Sequence, residues 1–177
     1  MFRAIERYVD DTLGLSHPVT ILDGVEEEID EATGERVGIS IRDYESLVAS
    51  VAVVRALCPL ELSGRDVRFI RRVLGMSASA FAEALTMDPS TLSRWEGDKQ
   101  TVGAWADKQV RLIAVTALED HVPEGFSGKT IIKMRPIKKG EREVELNIVM
   151  QHRSGLEVAP QGVSKDWCAD EPQLLAA

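Results

Sequence analysis

Cysteine is scarce in this chain, with two residues among 177, and aromatic residues make up only 5%. Cys58 and Cys168 stand far apart and belong to no CxxC pair, and His17, His121 and His152 are equally scattered. A zinc site needs about four ligands at short paired spacings, so no metal and no structural disulfide are expected. Cys58 reads as a buried thiol and Cys168 as an exposed one near the tail. No apolar run approaches the roughly 18–20 residues of a membrane span. The opening MFRAIERYVDDTLG lacks the uninterrupted apolar core of a signal peptide, which points to a cytoplasmic protein. Also missing are a Ser/His/Asp or Cys/His arrangement, a Gly-rich phosphate loop and a pair of carboxylates spaced for acid–base work. The chain is therefore expected not to be an enzyme and to carry no cofactor.

What is present is enough apolar sequence for a real core, 44%, and an uneven distribution of charge. The net charge of −8 looks wrong for a polyanion binder. Residues 1–62, however, hold five Lys/Arg against thirteen Asp/Glu, whereas residues 63–118 hold eight against six. Residues 119–177 hold eight against ten. Phosphate contacts are made by local cations, so the positive middle third matters more than the total. The acidic first third is either a solvated surface or the contact face of a second partner.

Taken in order, Phe2, Ile5, Val9 and Leu13 have helical spacing and predict a short first helix that stops at Gly14. VTILDG, VEEEID and VGISIR then read as short strands, with a turn at EATGE and Gly34 in its left-handed position. Asp43 is placed to cap the apolar run DYESLVASVAVVRAL, which Pro59 ends. Ser63 and Asp66 form a capping box, with Leu62 and Val67 as its hydrophobic staple. Val67, Ile70, Val73 and Leu74 face the core of that helix; Arg65, Arg68, Arg71 and Arg72 point largely outward. Gly75 stops it. Ser77 caps the next helix, where Phe81, Ala84 and Leu85 are core candidates and Ala82 is small at a close approach. Only Thr86 and Met87 separate that helix from the next, which Asp88-Pro89 opens. Leu92 and Trp95 face inward there, and Gly97 ends it. A last helix over about 104–119 carries more apolar surface than a small domain needs, which fits a dimer contact. After VPEGFSG, the segments KTIIKMRPI and REVELNIVMQHR predict a β-hairpin around KKGE, with GLEVAP as a candidate third strand. Lys138 and Lys139 at its turn read as solvated charge. The final QGVSKDWCADEPQLLAA has no period and is expected to be loosely ordered.

Two short helices at this spacing, over 77–85 and 88–95, make a helix-turn-helix, whose second helix enters the DNA major groove. The stretch over 62–118 resembles the Xre/Cro-type helix-turn-helix regulators, and more closely the DNA-binding half of MqsA-type antitoxins. The residues carrying the resemblance are LSGRDVRFIRRVLGMS (62–77), FAEAL (81–85), STLSRWEGDK (90–99) and ADKQVRLI (106–113), about one third of the chain. The resemblance implies base contacts from Ser90, Thr91, Ser93 and Arg94, and phosphate contacts from Ser77, Ser79 and Lys99. It also implies a structural ion pair between Arg71 and Glu96. Three departures stand out. Ala78 occupies the place of the usual glutamine, Thr86 the place of the usual turn glycine, and the zinc-ribbon cysteines are missing, so the toxin-binding role of that half does not carry over.

The fold expected is α+β, a central all-α domain over 61–120 between two flanking regions. The first, over 1–60, is an acidic β meander plus helix; the second, over 121–177, is a β-hairpin with a loose tail. The function expected is a sequence-specific, double-stranded-DNA-binding transcriptional regulator. It would act as a homodimeric repressor, including of its own promoter, on an inverted-repeat operator. The alternative is an antitoxin or accessory protein whose flanks bind a protein partner, a toxin or another.

Overall fold

The computed structural model describes residues 1–138, 146–153 and 167–169. It combines five strands with six helices in an α+β arrangement. The strands are β1 (Phe2–Asp10), β2 (Val19–Ile29), β3 (Arg36–Ile41), β4 (Ile148–His152) and β5 (Trp167–Ala169). Between β3 and β4 run α1 (Tyr44–Leu57), α2 (Gly64–Val73), α3 (Ala78–Ala84), α4 (Pro89–Glu96), α5 (Ala104–Ala117) and α6 (Gly128–Lys133). No helix among the described residues is long and apolar enough to cross a membrane.

The sheet is organised on β2. One side of β2 pairs antiparallel with β1, from Phe2 opposite Glu28 to Asp10 opposite Val19. On its other side β3 takes residues 25–29, antiparallel, and β4 takes residues 19–22, parallel. The changeover falls at Asp23 and Gly24, both at positive φ (56° and 73°). Here two residues of β2 lie against Glu6 alone, a bulge that bends the strand. A Cβ on Gly24 would sit 2.8 Å from the His152 Cβ and 3.1 Å from the Trp167 ring, so the C-terminal strands can close on β2 only past a glycine. The Trp167 indole donates to the carbonyls of Arg42 and Asp43 (both 3.3 Å), latching β5 onto the corner between β3 and α1.

Several expectations change. Residues 2–10 are a strand rather than a helix. Phe2 and Val9, two of the four positions that gave the helical period, are 62% and 51% exposed, whereas Ile5 and Tyr8 lean on the core. Ile, Tyr and Val fit a pleated surface, and the ladder offered by β2 outweighs a short helix's weak local preference. The two strands expected over 19–30 are one bulged strand. Gly34 is left-handed (φ 72°) in the turn, as expected. Asp43 does not cap α1: its φ is 42° and its side chain makes no capping bond. Residues 129–133 of the expected hairpin arm are helical, in α6. Beyond them Ile137 bridges to Leu60, and its N–H donates to the Pro59 carbonyl (2.8 Å). The antiparallel C-terminal pair is instead β4 with β5, and β5 lies in the stretch expected to be loose. Gly140, Val144 and GLEVAP fall outside the described residues.

α1 is buried on nearly every side from Ser46 to Leu57 and joins the sheet to the remaining helices in one apolar core. Two fully buried arginines fasten its exit. Arg111 of α5 binds Asp107 one turn before it and donates to the carbonyls of Ala56 (2.8 Å), Cys58 and Leu60 (2.7 Å). Arg55 donates to the carbonyls of Leu60 and Glu61 (both 2.9 Å) and to the Asp66 carboxylate (2.9 Å). Asp107 also accepts the Leu62 N–H (2.7 Å). The irregular link over 58–62 thus finds partners for its buried backbone groups in side chains.

Candidate nucleic-acid interface

The capping residues of 63–99 act as read. Ser63 and Asp66 form the reciprocal box that starts α2, with Leu62 and Val67 buried beside it. Asp66 does more: it also accepts from the N–H and hydroxyl of Ser16 (3.2 and 2.9 Å), tying the β1–β2 connection to α2. Burial alone would push this carboxyl up. The Arg55 charge and hydrogen bond, with the bonds from Ser63, outweigh burial and hold it at about 2.

α2, α3 and α4 end in the same way. In each, one residue is left-handed: Gly75 (φ 65°), Thr86 (φ 52°) and Asp98 (φ 55°). The N–H groups of these residues and of their successors reach back to carbonyls near the helix end. The pairs are Gly75 to Arg72 and Met76 to Arg71, Thr86 to Glu83 and Met87 to Ala82, Asp98 to Trp95 and Lys99 to Arg94. This is the paired left-handed C-terminal cap. Gly97 ends α4 but is not its left-handed residue; Asp98 is. The Thr86 turn between α3 and α4 is therefore strained in the sense its β-branched side chain implies.

Phe81, Ala82, Leu85, Leu92 and Trp95 pack the two helices together, while Ala84 turns out exposed. α4 is fixed at its C-terminal end by two contacts. Arg71 grips Glu96 with two bonds (2.7 and 2.9 Å) and donates to the Met76 carbonyl (2.9 Å), so the ion pair also closes the α2–α3 turn. Glu96 raises the affinity of Arg71 for its proton, chiefly through the hydrogen bond. Gly64 lies under the Trp95 carbonyl so closely that a Cβ there would be 1.7 Å from the oxygen. α2 and α4 meet backbone to backbone.

The opposite face of α4 is open. Ser90, Ser93 and Arg94 are exposed, and Thr91 is half-buried. Asp88 caps α4 by accepting the Ser90 N–H (2.8 Å). Its carboxyl sits below the usual range because the Ser90 hydroxyl and N–H both bond to it, with the nearby Arg94 charge contributing. Ser77 accepts the Ala80 N–H (3.1 Å) at the start of α3 and keeps its own O–H to donate; Ser79 and Lys99 are exposed. The result is a polar face with one strong cation, framed by hydroxyls that can donate to anionic oxygens.

Sequence reasoning missed the buried charges Arg55, Asp107 and Arg111, and took Asp66 only as a cap. Only Arg55 left a signal: a lone arginine inside VAVVRAL is flanked on all helical sides by apolar residues, whereas Arg111 follows Asp107 and Lys108 one turn before it. Among the described residues, no group of three or more His, Cys, Asp or Glu is placed to hold a metal. Cys58 is buried, and Cys168 is half-buried on β5 rather than exposed in a loose tail. Comparison with family models, with curated proteins and with solved structures gave no match.

Proposed function

We propose that this chain is a sequence-specific, double-stranded-DNA-binding transcriptional regulator that works as a homodimeric repressor, its own promoter included, on an inverted repeat. One observation carries the reading. An eight-residue helix, clamped at its C-terminal end by Arg71–Glu96 and by the Gly64–Trp95 backbone contact, leaves a polar face with Arg94 uncovered. A rigidly held helix with an open N-terminal half is what major-groove reading requires. Ser90, Thr91, Ser93 and Arg94 read base edges, Arg94 toward guanine O6 and N7. Ser77, Ser79 and Lys99 hold phosphates on either side. One such helix touches too few bases for a long site, which is the argument for two copies on half-sites about 34–36 Å apart.

Selection of bound sequences from a random duplex pool, with mass measurement of the complex, tests this. An inverted repeat and two chains per duplex are the expected outcome; no enrichment over the input pool refutes the reading. The second reading, an antitoxin-like or accessory protein, draws on the acidic N-terminal sheet. Residues 23–35 carry seven carboxylates and no Lys or Arg, beside exposed Phe2 and Val37. A basic protein that stays bound through purification would favour it.

A further inference from the structure

The segment over 128–138, GKTIIKMRPIK, has four cations and no carboxylate. Its Lys129, Lys133 and Arg135 are exposed, and among the described residues none of the three has a carboxylate within ion-pair distance. The fold sets where these charges lie. Gly128 faces Leu112 of α5, a Cβ there falling 3.6 Å from the Leu112 side chain. Four residues on, the Lys108 ammonium donates to the Ile132 carbonyl (3.1 Å). The segment therefore runs back along α5 toward its first turn. It then pairs with the link before α2, where the Glu61 N–H donates to the Ile137 carbonyl (2.9 Å). That link leads into Gly64, which lies under the C-terminal end of α4, and into Arg65, whose guanidinium is 3.8 Å from Asp98. The basic segment therefore pairs with the link that enters α2 beneath the end of the reading helix.

We infer that Lys129, Lys133 and Arg135 form a second phosphate-binding track that holds the DNA backbone flanking the site read by α4. The inference rests on the DNA-binding reading above and extends it to a part of the chain outside the helix-turn-helix. It also bears on how an acidic protein can hold a polyanion: these cations lie together beside α5, while residues 1–62 hold thirteen of the 29 carboxylates against five Lys/Arg. Like-charged neighbours left without partners attract a line of phosphates more than they attract any single acid.

The test is the salt dependence of binding to a generic-sequence duplex, since phosphate contacts are indifferent to sequence. Removing one phosphate-neutralising cation lowers the slope of log K against log salt concentration by about 0.9. The K129A/K133A/R135A triple should flatten the slope by between about 1 and 3 and leave the sequence preference in a selected pool unchanged. A control triple, R7A/R36A/R153A, removes the same charge from the sheet and the end of β4 and should move the slope much less. Equal slopes for the parent and K129A/K133A/R135A, with Arg94→Ala still weakening binding, overturn the track and leave the reading helix intact. Equal flattening by both triples also overturns it, in favour of a net-charge effect. A parent that binds no duplex overturns the DNA reading and the track together. Circular dichroism and melting of each variant separate weakened phosphate binding from loss of fold.

Discussion

Thr86 and Gly75 occupy the same place in consecutive helix ends, and exchanging their chemistry should move stability in opposite directions. Both are left-handed, at φ 52° and 65°. An L-residue there costs roughly 1–2 kcal/mol because its Cβ crowds the following carbonyl. β-branching makes Thr86 a true outlier. Its side chain is exposed and Thr86 donates only its backbone N–H in the cap, so replacing it removes little else. Against the relief stands glycine's larger entropy in the unfolded chain, about 0.5–1 kcal/mol. Thr86→Gly should therefore stabilise by about 1 kcal/mol, a rise of about 2–4 °C in Tm for a chain this long. Gly75→Ala is the reverse case. Nothing lies within 4 Å of the Cβ position, so its cost is conformational alone. A loss of about 1 kcal/mol is expected. Urea melts of the parent and both variants, at constant m-value, measure the pair. A Thr86→Gly protein no more stable than its parent would refute the reasoning and assign the threonine hydroxyl a stabilising role. Thr86→Ala should fall between.

The remaining predictions concern the clamp, the buried carboxylate and the reading face. Gly64→Ala drives a Cβ into the Trp95 carbonyl at 1.7 Å, backbone against backbone, and should cost about 3 kcal/mol by denaturant titration. A cost within about 0.5 kcal/mol of zero would mean that α2 and α4 separate freely, contrary to the rigid clamp. Asp66 is depressed from 3.8 to about 2, so it binds its proton less readily folded than unfolded. Its contribution, about 2 kcal/mol, is therefore complete above about pH 4 and is lost as pH falls toward 2. Carboxyl carbon NMR should show its midpoint near 2, and a midpoint at or above 3.8 would contradict the Arg55 pairing. Arg94→Ala should weaken binding to a selected operator by about 1–3 kcal/mol without changing Tm. Unchanged affinity in a fluorescence-anisotropy titration would remove Arg94 from the reading face.

The parts legible in the sequence are those decided within a few residues. Ser63 with Asp66, Asp88 before Pro89, and Gly75 announce their helix ends because the bonds they make span two to five positions. Arg71 with Glu96 was legible only through the resemblance, since nothing local joins residues 25 apart. β1 was misread because its choice between helix and strand is made by β2, and the β2–β4 pairing joins segments more than a hundred residues apart. The arginine network was hidden for a related reason. Arg55 and Arg111 are stable in the core only because the 58–62 link presents its carbonyls to them, and an irregular link leaves no period to read.

The outer edge of β1 has a consequence for how copies of this chain meet. A nine-residue strand at a sheet margin is an open template, and no strand among the described residues pairs with it there. Opposed residues in an antiparallel pair share a face, and a two-fold axis keeps each side chain on its own face. Two identical strands can therefore pair symmetrically only with some residue opposite itself. Centred on Ile5, the pairing sets Arg3 against Arg7; centred on Glu6 or Arg7, it sets that residue against its own copy. The alternation that spoils a helix and half spoils a strand also makes this margin repel itself in each of these registers. In those registers the edges of two copies are held apart, so the strand that could seed a fibre resists pairing with itself there.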